Sequence, residues 1–153
     1  MKSLTLTLAA MALACRWTLA DSPQPTGARL WTDSDLESLT ATLRQTGLPY
    51  TQVLNGKTYG ALLLRRAVSG NPELHVKLND FFVVLGGEGE IRVGGSATRV
   101  KTVAPDEEQG EKLLGGALYR VGPGDVLFVP ANRWLQVLVA KGRVLRAIII
   151  KTQ

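Results

Sequence analysis

The chain has 153 residues, 45% of them hydrophobic, which is enough to bury the core of one domain but leaves no room for a second. Its formal net charge is +5, and removal of Lys2 and Arg16 with a leader would leave 16 basic and 13 acidic side chains, a net of +3. Apart from Arg65-Arg66 the basic residues are scattered singly, which argues against a protein that binds nucleic acid or inserts stably into a membrane.

The first twenty residues have the pattern of a secretory signal peptide. Lys2 is followed by an uncharged run from Leu4 to Cys15, and Thr18-Leu19-Ala20 places small residues before a cleavage point. The run is too short for a membrane-spanning helix, and the residues around Cys15 match a lipoprotein signal poorly. We therefore expect residues 1–20 to be removed and the protein to be exported, to the periplasm or outside the cell, with lipid anchoring as the minor alternative.

A linker and one helix follow the predicted leader. Residues 21–27 contain two prolines and predict a linker, so the folded domain is expected over residues 28–153. A helix is predicted from Ser34 to Gln45, because Ser34 and Glu37 form a capping box and Gly47 can end the last turn. We expect this helix to cover one side or end of the domain.

Short strands and tight turns account for the remaining sequence. Two glycine-containing turns predict β-hairpins: Asn55-Gly56, between strands 50–54 and 59–68, and Gly94-Gly95, between strands 90–93 and 96–100. The acidic segment 102–112 predicts a surface loop, and Pro123-Gly124 predicts a type II turn. With strands at 126–129, 135–139 and 144–150, the pattern predicts an all-β barrel with one short N-terminal helix.

Polar side chains of the kind that bind metals stand before one of these strands. Glu73 and His75 are two residues apart, so on an extended strand they point to the same face, and Asp80 opens the next strand. Two carboxylates and one imidazole suit Fe(II), Mn(II) or Zn(II). The alternative is that the carboxylates are solvated strand ends and His75 is a hydrogen-bonded residue of the barrel.

The sequence around these residues resembles that of the cupins, small jelly-roll β-barrels. The segment from Glu73 to Gly95 is similar to the first cupin motif, and the segment from Gly122 to Ala131 is similar to the second. The resemblance extends over about residues 28–151. It implies a cupin-type jelly-roll β-barrel, and homodimer formation is plausible because cupins often pair through sheet edges.

The resemblance also implies where metal ligands would stand. A gapless alignment puts Asp80 in place of the family's glutamate, and Glu73 and His75 in place of its two histidines. A second register places His75 and Lys77 there instead. In the second motif Leu135 occupies the position of the family's histidine, and its side chain cannot bind a metal.

We therefore predict a small-molecule-binding cupin whose metal site has eroded and which needs no cofactor. The predicted ligand-binding residues are His75, Lys77, Phe82, Trp134 and Leu135. One alternative is a metal-dependent enzyme of the dioxygenase, isomerase or lyase type, with Fe, Mn or Zn held by Glu73, His75 and Asp80. Another is metal-free acid-base catalysis by His75, which needs one group that titrates near neutral pH.

Overall fold

The computed structural model describes residues 27–153 of the chain. The predicted signal peptide, and the predicted linker apart from Gly27, lie outside the described residues, so cleavage and export stay predictions. The elements are α1 (Asp33–Thr46), β1 (Tyr50–Asn55), β2 (Tyr59–Arg66), β3 (Glu73–His75), β4 (Asn79–Gly87), β5 (Gly89–Val93), β6 (Ser96–Thr98), β7 (Lys101–Ala104), β8 (Glu107–Gln109), β9 (Lys112–Leu114), β10 (Ala117–Val121), β11 (Val126–Val129), β12 (Trp134–Leu138) and β13 (Leu145–Thr152).

The strands form two main sheets that enclose the core. A five-stranded sheet has the order β1-β2-β13-β4-β11, a six-stranded sheet has the order β10-β5-β12-β3-β8-β7, and β6 pairs with β9. All of these pairs are antiparallel. The prediction of an all-β jelly-roll with one N-terminal helix is therefore confirmed. No helix within residues 27–153 is long and apolar enough to cross a membrane.

Strand β13 shows how alternation along a strand builds the interior. It pairs with β2 on one side and β4 on the other, so it is central in its sheet. Leu145, Ala147, Ile149 and Lys151 are buried, whereas the residues between them are partly or largely exposed. Because side chains on a strand alternate between faces, the charged Lys151 lies on the same inner face as the apolar residues before it.

The capping residue of the helix lies two residues earlier than the sequence predicted. Thr32 has an extended backbone and caps the helix together with Asp35, whereas Ser34 lies inside the first turn. Both Thr32 and Ser34 are followed three residues later by an acid, so the local pattern allowed either cap. The predicted C-terminal cap is confirmed, since Gly47 has a φ of +71°, and Leu43 is the buried residue of the helix.

The predicted hairpin at Gly94-Gly95 is wrong. Strand β5 pairs with β10, and β6 pairs with β9, in one continuous register: Val93 lies opposite Ala117 and Ser96 lies opposite Leu114. At the break, Gly94 and Gly95 face Gly115 and Gly116, and all four have positive φ. Positive φ is compatible both with a tight turn and with a bend in a long ribbon, which is why the dipeptide alone misled the prediction.

The acidic segment 102–112 is not a loop but contributes to three strands, β7 to β9. Strand β8 lies between β3 and β7, which supply hydrogen-bond partners on both sides. This pairing places Glu107 opposite His75. Glutamate is a weak strand former, so tertiary pairing overrides its local preference here.

The two remaining turns differ in how closely they follow the sequence. The first hairpin is present, but Asn55 ends β1 and the connection is three residues long, with Gly56 N–H donating to the Tyr59 carbonyl. The predicted turn at Pro123-Gly124 is confirmed: Gly124 has a φ of +88°, and Asp125 N–H donates to the Gly122 carbonyl at 3.1 Å.

Candidate functional site

Four titratable side chains meet between the two sheets. His75 and Glu107 lie opposite each other on β3 and β8 of the six-stranded sheet, and Asp80 and Lys151 lie opposite each other on β4 and β13 of the five-stranded sheet. The exposed fractions are 6% for His75, 1% for Asp80 and 4% for Lys151. A buried charge of this kind is tolerated when it is paired and hydrogen-bonded.

Asp80 connects the other two buried polar residues. Its Oδ2 lies 2.7 Å from His75 Nδ1, and its Oδ1 accepts a hydrogen bond from Lys151 Nζ at 2.5 Å. An ionised carboxylate can only accept, so Nδ1 carries the proton and Nε2 of a neutral ring is the acceptor. Lys151 Nζ lies 3.1 Å from Nε2 and 3.2 Å from Nδ1, so the ammonium is held against the imidazole as well.

The charge state of Asp80 follows from these contacts. Burial on its own would raise the pKa of this carboxyl, but the Lys151 ammonium and the hydrogen bond from His75 oppose it and hold the pKa below its ordinary value. Asp80 is therefore ionised at neutral pH, and the carboxylate and the ammonium form a buried ion pair.

The pKa of Glu107 is shifted in the opposite direction to that of Asp80. Burial raises the pKa of this carboxyl, and the nearby carboxylates of Glu73 and Asp80 raise it further, while His75 and Lys151 partly offset the shift. Its Oε2 is buried and has no hydrogen-bond partner within residues 27–153. The surroundings therefore stabilise the protonated form of this carboxyl relative to water.

These side chains line a small cavity of about 60 Å³. Its walls are formed by Tyr50, Leu62, Leu64, Arg66, Glu73, His75, Asp80, Phe82, Glu107, Leu135, Val137, Ile149 and Lys151. The volume is about that of two water molecules at roughly 30 Å³ each. The cavity therefore has one mostly apolar wall and one cluster of charged and polar groups, and room for a molecule of a few atoms.

Arg66 is the second residue of the cavity with an unsatisfied buried atom. Its Nη2 lies 3.6 Å from Glu73 Oε1, a loose ion pair. Its Nε is buried and has no hydrogen-bond partner among the residues described. An N–H group in this condition normally has a partner, from the protein, water or a ligand.

The structure brings together most, but not all, of the residues that the sequence singled out. Glu73, His75, Asp80, Phe82 and Leu135 line the cavity. Leu135 is 3% exposed, so the residue at the position of the family's histidine is part of the apolar wall.

Two predicted ligand-binding residues lie elsewhere. Lys77 lies in the connection between β3 and β4, where its side chain is 63% exposed and its Nζ pairs with Asp106 at 3.0 Å. Trp134 precedes Leu135 on β12 and, by alternation, faces away from the cavity wall that Leu135 joins. Neither residue is among those that line the cavity.

Sequence reasoning missed Lys151 and the part played by Arg66. The signal for Lys151 was present, because extending the last predicted strand by one residue continues the alternation of Leu145, Ala147 and Ile149 onto its side chain. Arg66 falls within the predicted strand 59–68, where nothing in the local sequence marks it as a cavity residue. Its place in the cavity depends on how β2 and β3 pack, which no local pattern specifies.

The residues present do not fit a metal ion. Within the part of the chain that the structure describes, no three or more His, Cys, Asp or Glu side chains are grouped so as to hold a metal. Asp80 and His75 bind each other, and Glu73 turns to Arg66. The Lys151 ammonium is hydrogen-bonded to Asp80 and lies against His75. Its positive charge would repel a divalent ion at the place where the ligands of that ion would have to converge.

Comparison with known proteins supports the fold. No protein-family model matches the chain, and no curated protein does. Several solved structures do match. The Bacillus halodurans protein BH2720 has 16% sequence identity and a TM-score of 0.56, over 85% of this chain and 86% of that protein. An uncharacterised Klebsiella pneumoniae protein with a double-stranded β-helix domain has 11% identity and a TM-score of 0.56 over 82% and 90%.

A third match carries the name of the fold. The cupin domain of Schizosaccharomyces pombe Cnp3 has 10% identity and a TM-score of 0.52 over 68% of this chain, which spans 63% of that domain's length. Together with the sheet topology, these matches show that the chain has the cupin fold, a jelly-roll of antiparallel strands. At these identities the likeness is one of fold.

Proposed function

We propose that this protein binds a small molecule in the cavity between its sheets and does so without a metal ion. The observation that carries the proposal is the position of Lys151. Its ammonium is bonded to Asp80 and lies against His75 inside the cavity, so the charge that a metal ion would supply comes from a side chain. Concave sites with an apolar lining and a few convergent polar groups are typical of ligand pockets.

The unsatisfied atoms of Arg66 and Glu107 support occupancy by something polar. Both atoms are buried, and a buried donor or acceptor without a partner costs about 1–3 kcal/mol. Neither atom has accessible surface, so a polar ligand would recover this cost only after the side chain turned into the cavity. The apolar wall around Phe82 and Leu135 would enclose the remainder of the molecule.

A screen of small polar compounds tests the proposal. Protein treated with EDTA is mixed with compounds of up to about four heavy atoms, and binding is followed by ligand-observed NMR. We expect binding that survives EDTA and weakens at least about tenfold in Leu135→Phe, where the larger ring fills the cavity. Val137→Ile, a smaller change in the same wall, should weaken binding less.

The matched control is Leu118→Phe, because Leu118 is 46% exposed on β10 and lies outside the cavity. It should bind as the unmodified protein does. Binding that is lost with EDTA, or that is equally strong in Leu135→Phe, would contradict the proposal.

A second candidate function is favoured by the hydrogen bond between His75 and Asp80. A carboxylate that accepts from Nδ1–H fixes the tautomer in which Nε2 can accept a proton, the arrangement that orients a general base. The Lys151 ammonium lies 3.1 Å from Nε2 and would have to move aside for a substrate. His75 would then be a catalytic base in a metal-free reaction. A turnover that survives EDTA and disappears in His75→Gln would favour this function over simple binding.

A further inference from the structure

Three strands of the five-stranded sheet have the composition of strands that are covered on both faces. Continuous apolar runs occur in β4 (residues 81–85), β11 (Val126–Val129) and β13 (residues 147–150). A strand with one face in water normally alternates apolar and polar residues, whereas continuous apolar runs are typical of strands buried on both faces. The inner face of these strands contributes Phe82 and Val129 to the core, so the composition predicts a cover for the outer face as well.

Helix α1 covers one half of this outer face. Leu63 on β2 points outward between the core residues Leu62 and Leu64, and it is 0% exposed because α1 packs on β2. Glu37 of the helix pairs with Arg146, which lies on the outer face of β13. Beyond that ion pair, no element within residues 27–153 covers the outer side of β13, β4 and β11.

Six apolar side chains form an uncovered patch on these three strands. The register of the sheet places them in two neighbouring rows: Ile148, Val83 and Val126 in one row, and Ile150, Phe81 and Phe128 in the other. Val126 is 63% exposed, Phe128 49% and Ile150 39%, and the other three are partly buried. The rings of Phe81 and Phe128 are in contact, with 4.7 Å between their centroids. The patch is therefore continuous and carries no charge.

The outer face of the six-stranded sheet has a different character. Glu90 and Arg92 lie on either side of the buried Ile91 on β5, and Glu90 forms an ion pair with Arg120 of β10. Strands that alternate in this way are stable with one face in water. The apolar patch is thus a property of one face of the fold and not of its surface in general.

The size of the patch suits a dimer of the chain. If a fully exposed side chain of this kind has about 150–200 Å², the six residues together expose roughly 300–500 Å². Homodimer interfaces are about 65% apolar, so this patch corresponds to an interface of roughly 500–800 Å² on each copy. Specific interfaces bury about 600–1,000 Å² on each partner. The area therefore suffices for a reversible dimer but not for an obligate one.

A second copy also fits the shape of this face. Sheets pack face to face about 10 Å apart, and a helix on a sheet fills a layer of about the same thickness. Around a twofold axis, the helix of each copy would stand beside β11 of the other, so the helices would not hold the sheets apart. Residues 21–26, which precede the described chain once the predicted leader is removed, offer no alternative cover, because proline is their only apolar residue type.

We infer that the uncovered half of this sheet is the contact surface of a symmetric dimer, in which the patches of two copies pack face to face. Pairing through sheet edges would differ, because it would leave the patch in water. An interface of this size predicts a dissociation constant in the micromolar range. The inference does not rest on the proposed function, since the patch lies on the outer face of the strands and the cavity on the inner face.

Sedimentation velocity of the protein between about 1 and about 200 µM tests the inference. We expect the mass to rise from one chain towards two across this range. Val126→Lys and Phe128→Lys should each weaken the dimer at least about tenfold, because each places two like charges in an apolar interface. Both side chains are largely exposed in the single chain, so both variants should fold, and their amide NMR spectra check this.

The matched control is Leu118→Lys. Leu118 is 46% exposed and lies on β10, which is an edge strand like β11 but belongs to the six-stranded sheet. This variant should dimerise as the unmodified protein does. A protein that stays monomeric up to about 200 µM would overturn the inference. So would a dimer that is no weaker in Val126→Lys and Phe128→Lys than in Leu118→Lys, and neither result would bear on the EDTA screen.

Discussion

Asp80 accepts a hydrogen bond at each carboxylate oxygen, from His75 at one and from Lys151 at the other. One carboxylate thereby holds three polar side chains together in the interior of the fold. The network is a stability liability, because two charges removed from water are tolerated only while they stay paired.

Replacing Asp80 should therefore be costly. We expect Asp80→Asn to lower the free energy of unfolding by about 3–5 kcal/mol, since it removes the carboxylate of the buried ion pair with Lys151. Urea denaturation measures the difference. The matched control is Asp106→Asn, which breaks the exposed pair with Lys77 and should cost less than about 1 kcal/mol. Equal effects of the two substitutions would contradict the buried ion pair.

The ion pair of Asp80 and Lys151 makes the stability of the folded chain depend on pH in the acid range. The pKa of Asp80 is lower in the folded chain than the ordinary 3.8, so its contribution is present above that value and is lost as the pH falls through the folded pKa. The Asp80→Asn variant has no carboxylate to protonate at this position. Its free energy of unfolding should therefore fall less steeply on acidification than that of the unmodified protein.

At the scale of the elements, the long ribbon formed by β5–β6 and β9–β10 depends on four glycines. An added Cβ at Gly95 would lie 2.2 Å from the Leu114 carbonyl oxygen, whereas at Gly94 the nearest atom is 3.9 Å away. Both have positive φ, so both substitutions carry the strain of a left-handed backbone, about 1–2 kcal/mol.

These two glycines form a matched pair for a test. We expect Gly94→Ala to cost about 1–2 kcal/mol and Gly95→Ala to cost at least about 1 kcal/mol more, because only the latter also pushes the facing backbone away. Thermal and urea unfolding of the two variants measure the difference. If Gly95→Ala were no worse than Gly94→Ala, the facing arrangement of the ribbon would be wrong.

The elements also show which parts of the fold a sequence specifies. The Gly47 cap, the Pro123-Gly124 turn and the strand with Asp80 could be predicted because their signals lie within a few residues. The partner of β5 could not, because the positive φ of Gly94 and Gly95 serves a turn and a bend equally well. Strand β8 was missed because its pairing depends on β3 and β7, far away in the chain.

The candidate site likewise has features that the sequence predicts and features that depend on distant contacts. The sequence places Glu73 and His75 on one strand and Asp80 on the next, and both strands contribute to one cavity. It does not reveal that Lys151 lies opposite Asp80, since that contact joins strands 71 residues apart. Nor does it reveal that Glu107 lies opposite His75, because the segment 102–112 that contains Glu107 has the composition of a polar loop.

At the scale of the whole molecule, the jelly-roll brings strands from both ends of the described chain against one interior space. The first motif supplies His75 and Asp80, the strand after the second motif supplies Leu135, and the last strand supplies Lys151. The expected homodimer and export stay predictions. The interior combines an apolar wall with a network in which Asp80 is paired with both His75 and Lys151. This combination underlies the proposal of metal-free binding.

Elemental analysis of protein purified without chelator tests that proposal most directly. Because His75 and Asp80 bind each other and the Lys151 ammonium lies against both, we expect iron, manganese and zinc each to be far below about one equivalent per chain, even after incubation with the ion. About one equivalent of any of the three, lost in His75→Ala, would contradict the account and favour a metal-dependent enzyme.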